Sequence, residues 1–112
     1  MIFLDRSGLR RLIKNYLDDV APGLHIVLEL RCKIIGGRDL VSLLIDDPGK
    51  LLKALKTMYN DESSVEFVVR LILKPLVQEL ELLGKEEQLV KQLLENPEKF
   101  KEEISRLLEQ RR

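Results

Sequence analysis

The sequence predicts an all-α fold, a compact bundle of about six helices around a central apolar helix at residues 64–83. Three observations carry that prediction. Apolar residues recur at helical spacing along nearly the whole chain. Asp47-Pro48 and Asn96-Pro97 each join a side chain that caps a helix start to a proline suited to the first helical position. Only residues 24–35 also fit the two-residue period of a strand, and a strand with few partners is marginal. With 112 residues, 45% apolar and 34% charged, the chain reads as one globular domain, 1–112, able to bury a single core.

The elements follow in order. Ser7 is placed to cap a first helix whose Leu9, Leu12, Ile13, Tyr16, Leu17 and Val20 form one stripe, and Ala-Pro-Gly at 21–23 ends it. The next segment, LHIVLELRCKII (24–35), holds the only histidine, His25, and the only cysteine, Cys32. As a strand, its even positions Leu24, Ile26, Leu28, Leu30, Cys32 and Ile34 are all apolar. As a helix, Leu24, Val27, Leu28, Ile34 and Ile35 share a face opposite His25, Glu29 and Lys33. Local counting favours the strand, yet only MIFL (1–4) or part of VEFVVRLIL could pair with it. Context therefore favours a helix, with an α+β fold carrying a strand at 24–35 as the alternative.

GGRD at 36–39 is a breaker, and DLVSLLI reads as a short helix. From Pro48 a longer helix turns Leu51, Leu52, Leu55, Met58 and Tyr59 inward. Ser63 and Glu66 have capping-box spacing ahead of the helix 64–83. That helix is apolar almost all round (Val65, Phe67, Val68, Val69, Leu71, Ile72, Leu73), which suits the centre of a bundle. Pro75 should kink or break it, and Gly84 should end it as a left-handed cap. KEEQLVKQLLEN brings Leu89, Val90, Leu93 and Leu94. A last helix from Pro97 carries Phe100, Ile104, Leu107 and Leu108. Residues 43–59 and 92–108 echo one another at an offset of 49, which a shared way of starting helices explains.

The chemistry that a catalytic or metal site needs is sparse. His25 and Cys32 lie seven residues apart, on opposite faces of a strand or about 10 Å apart along a helix. Neither geometry lets them share a metal, and no second histidine exists. His25 is expected at the surface and Cys32 buried as a small hydrophobe. Ser7, Ser42, Ser63, Ser64 and Ser105 have no local context of a catalytic triad, and no G-x-S-x-G or P-loop pattern occurs. DDPGK is too short for a calcium loop. Glu86 with Glu87 and Glu102 with Glu103 point about 100° apart on a helix and read as solvated faces. The expectation is no enzyme and no cofactor.

Two basic rows are candidate partner or nucleic-acid contacts: Arg6, Arg10 and Lys14 on the first helix, and Lys50, Lys53 and Lys56 on the helix 48–59. The second row can be read as a helix-turn-helix, although the usual base readers Asn, Gln and Arg are absent from it. The terminal stripe Phe100, Ile104, Leu107 and Leu108 needs a cover from this chain or a second subunit, so it is the candidate oligomer stripe. Lys99–Glu103 and Glu102–Arg106 are spaced to pair along the same helix. Residues 1–60 carry ten Lys or Arg against seven Asp or Glu, and residues 61–112 nine against twelve. Such opposed halves could attach to each other or guide assembly. The start MIFLDRSG is too short and wrongly charged for a secretory signal, and Arg70 and Lys74 interrupt the longest apolar run. A cytoplasmic protein is expected. Abundant Leu, Lys and Glu beside two Ala and no Trp match proteins from hot environments.

The stretch DDPGKLLKALKTMYNDESSVEFVVRLILKPLVQELELLG, residues 46–84, resembles the archaeal NitrOD output-domain family of small helical domains. The shared pattern is an aspartate–proline start, a helix, a short break and a longer helix ending at Leu-Gly. The chain departs from it at the break, NDESS in place of a glycine, and at Pro75. The resemblance implies an all-helical archaeal domain with a signalling or interaction role, and it carries no catalytic residue. Together these readings predict a non-catalytic protein-interaction or oligomerisation module, a homodimer or bound to a protein partner. The alternative is a nucleic-acid-binding regulator using the helix 48–59.

Overall fold

In the computed structural model, which describes residues 5–109, aspartates set most of the helix starts. Asp5 begins α1 (Arg6–Val20), Asp39 begins α3 (Leu40–Asp46), Asp47 begins α4 (Pro48–Met58) and Asp61 begins α5 (Glu62–Glu79). In each case the carboxylate accepts the backbone N–H three residues on, from Gly8, Ser42, Lys50 and Ser64. Asn96 does the same for Lys99 at the start of α7 (Pro97–Glu109). Asp47 and Asn96 sit where the sequence places them. Ser7 and Ser63 do not cap, because an aspartate two residues earlier is charged and complements the helix dipole better. Glu66 accordingly pairs with Arg70 instead of closing a capping box.

Three of the four prolines decide where helices stop. Ala21, Asp47 and Asn96 each precede a proline and have nearly the same backbone, φ near −149° and ψ between 66° and 74°. Proline crowds the preceding residue out of the helical region. Each of the three still donates its N–H back to the helix it ends, to Leu17, Leu43 and Gln92. The echo between residues 43–59 and 92–108 is therefore physical: both are a helix, a one-residue elbow and a second helix.

Residues 24–35 lie in α2 (Leu24–Gly36), and no strand occurs among the described residues, so the α+β alternative is overturned. MIFL, the proposed strand partner, lies outside the described residues. Gly37, with φ 74°, ends α2 in the left-handed conformation that glycine adopts without strain. Seven α-helices and a 3₁₀ turn (Leu83–Lys85) make up the described chain, with α6 (Glu86–Glu95) completing the set.

Helix α5 is shorter than predicted at its C-terminal end and runs unbroken through Pro75. Pro75 is itself buried, and its one missing N–H is outweighed by the packing of Val68, Val69, Ile72, Leu73, Leu76 and Val77 around it in sequence. Gly84 is not the left-handed residue. That role falls to Glu81, with φ 56°. The N–H of Leu82 bonds the carbonyl of Val77 at 2.8 Å and that of Glu81 bonds Gln78 at 3.3 Å. This is the Schellman pattern with glutamate where glycine is usual.

Helix α5 supplies more buried side chains than any other element, as a central helix should, but one side of it carries exposed Phe67. The helix touching most others is α4, which packs against α2, α3, α5, α6 and α7. Helix α1 packs on α2, α3 and α5, and the α6–α7 pair closes the other side. A single core runs through all seven helices.

Candidate functional site

The two residues best able to do chemistry are kept apart. Cys32 is buried in the core, and burial, helped by Glu29 and Asp39, pushes its thiol up to about 12. A thiol so held is a poor nucleophile. His25 is not the surface residue expected: its side chain is only 15% exposed, with Nε2 3.2 Å from a Glu29 carboxylate oxygen one turn along. The other Glu29 oxygen accepts the Leu40 N–H at 2.8 Å, so this carboxylate also caps α3 from outside. Among the described residues, no group of three or more His, Cys, Asp or Glu is placed to hold a metal.

The first basic row is turned onto the chain itself. Arg6 makes a two-pronged contact with Asp46, 2.7 Å on each arm, and Arg38 adds a third bond to the same carboxylate. Arg10 bonds Asp39 at 2.9 Å and the Ser42 hydroxyl at 3.3 Å. Since Arg6 and Arg10 meet Asp46 and Asp39 in reversed order, α1 runs antiparallel to α3 and clamps both its ends. The Arg6 bond, opposed by partial burial and reinforced by Arg38, holds the Asp46 carboxyl at about 2. At Asp39 burial works against ionisation, but Arg10 and Ser42 outweigh it and again hold the carboxyl at about 2. Lys14 pairs with Asp18, and Lys50 lies 3.9 Å from Asp47. Of the six candidate contacts only Lys53 and Lys56 are exposed and enter none of the ion pairs found among the described residues.

The candidate oligomer stripe is covered by its own chain. Phe100, Ile104 and Leu107 are buried and Leu108 packs against the same core, because α7 lies on α3, α4 and α6. Glu103 pairs with Lys85 and Arg106, not with Lys99.

An apolar face is left open elsewhere. On α2, Leu28 and Cys32 enter the core, while Ile26 is 72% exposed, Val27 48%, Leu30 61% and Ile34 63%. At about 100° per residue these four fall within one arc of roughly 100°, a continuous stripe along the helix. The sequence reading put Val27 and Ile34 inward; the observed inward face is centred on Leu28 and Cys32. Beside the stripe, between the start of α2 and α5, runs an open groove of about 640 Å³. Val27, Leu24, Tyr59, Leu71 and Phe67 line it, and Phe67 is 62% exposed. Stripe and groove share Val27 and form one surface. Ile26, Val27, Leu30, Ile34 and Phe67 together present on the order of 600 Å² of apolar area, the top of the range for the largest patch on a monomer, which is often functional. The signal was present in the sequence: LHIVLELRCKII carries more apolar residues than one helix face can bury.

No family model, curated protein or solved structure matches the chain. No helix among the described residues is long and apolar enough to cross a membrane.

Proposed function

We propose that this chain is a non-catalytic protein-interaction module that docks through the α2 stripe and the adjoining Phe67 groove. The observation that supports it is the exposure of Ile26, Val27, Leu30, Ile34 and Phe67 on one surface, while among the described residues Val20 and Leu83 are the other large apolar side chains left exposed. Leaving several large side chains largely in water forgoes about 1–2 kcal/mol each, a cost that a docking role accounts for. A signalling or interaction role is also what the resemblance of residues 46–84 to NitrOD output domains implies, although no family model matches the chain. Nucleic-acid recognition draws less support. A recognition helix must enter a groove, whereas α4 is flanked by five helices and joined to α3 by Asp47 alone.

Site-specific photocrosslinking tests this. A photoreactive residue at Leu30, in cells of the protein's own source, should give a discrete protein adduct, and one at exposed Lys91 on α6 should not. Adducts at neither position, or equally at both, overturn the reading. Replacing Lys53 and Lys56 by Glu should leave the Leu30 adduct unchanged.

A further inference from the structure

We infer that the occupant of this face is a second copy of the same chain, packed with its α2 antiparallel across a two-fold axis at Leu30. The inference rests on the docking role of the α2 face and adds the partner and the symmetry. Ile26, Leu30 and Ile34 are spaced four and four, so reversing the helix about Leu30 lays Ile26 on Ile34 of the second copy and Leu30 on Leu30. A self-complementary patch is what a two-fold interface requires. The charges agree. Glu29 and Lys33 lie on the same flank of the stripe, and the reversal brings each toward its opposite on the second copy. Lys33 is exposed and enters none of the ion pairs among the described residues. Phe67, beside the N-terminal end of α2, is carried to the Ile34 end of the other helix. Two such faces bury on the order of 1,200 Å² in total, at the lower end of specific interfaces.

Cysteine crosslinking of the purified protein tests the arrangement. Ile26→Cys, Leu30→Cys and Ile34→Cys replace exposed side chains, and far-UV circular dichroism checks that each variant keeps its helices. The native Cys32 is buried and stays out of the reaction. On mild oxidation Leu30→Cys should link to itself. Ile26→Cys and Ile34→Cys should link to each other in a mixture, several-fold more than either links to itself. Self-linking by Ile26→Cys and by Ile34→Cys overturns the antiparallel arrangement, because a parallel pair aligns like with like. Absence of all three links overturns the second copy as occupant. A Leu30 photoadduct to a different protein would then still stand for the docking role, so the two failures are told apart.

Discussion

At the scale of single residues, the chain uses one device repeatedly, an aspartate or asparagine accepting the N–H three positions on. Spacing alone located Asp47 and Asn96 but chose Ser7 and Ser63 over Asp5 and Asp61, since serine and aspartate are equally good caps by rank. Charge decides between them, and only the backbone shows which residue begins the helix. Glu81 is the costliest local choice, because a side chain at φ 56° is strained where glycine is not. Glu81→Gly should therefore stabilise the protein by about 1 kcal/mol. A chemical-denaturation midpoint that rises without a change in slope checks it; an unchanged or lower midpoint contradicts the strain.

At the scale of elements, helix α2 was the hardest to read and α5 the easiest to over-read. Residues 24–35 satisfy two periods because apolar residues lie on both faces of α2, one for the core and one exposed. Helix α5 is apolar nearly all round for the same reason: Phe67 belongs to the open surface, not to the centre. The distinction gives a paired expectation. Ile72→Asp puts a charge in the core without a partner and should abolish the cooperative thermal transition, whereas Leu30→Asp should leave the transition within about 1 kcal/mol of its original stability. Equal loss in both variants would mean that the α2 stripe is needed for folding.

The clamp of α1 on α3 has its own signature at the element scale. Asp39 and Asp46 are held at about 2, below the roughly 3.9 of an unfolded aspartate. Between these values the unfolded chain binds more protons than the folded one, so stability falls with falling pH. The melting temperature should drop from about pH 5 toward pH 2, and Asp39→Asn with Asp46→Asn should flatten that drop while lowering stability at neutral pH. An acid profile unaltered by the double substitution would remove the clamp from the account.

At the scale of the whole molecule, the all-α class and most helix positions were legible, because periodicity and pre-proline stops are local properties. What covers what was not. The terminal stripe of Phe100, Ile104 and Leu107 left open in sequence whether its own chain or a second subunit covers it, and it is buried against α3, α4 and α6. The opposed charges of the two halves suggested attachment, yet every ion pair found among the described residues joins partners within 1–60 or within 61–112. Arg70 with Glu66 and Glu87, and Lys74 with Glu86, neutralise the second half internally. Hydrophobic packing, not charge, holds the halves together, and the open apolar face lies where no helix of the chain reaches.

Light scattering on a sizing column, over a wide range of protein concentration, tests the central claim most directly. The native chain should move toward twice its 13.0 kDa mass as concentration rises, and Leu30→Lys should remain at 13.0 kDa with its helical content intact. A native chain that stays at 13.0 kDa throughout, or a Leu30→Lys variant that assembles as the native chain does, contradicts self-association through α2.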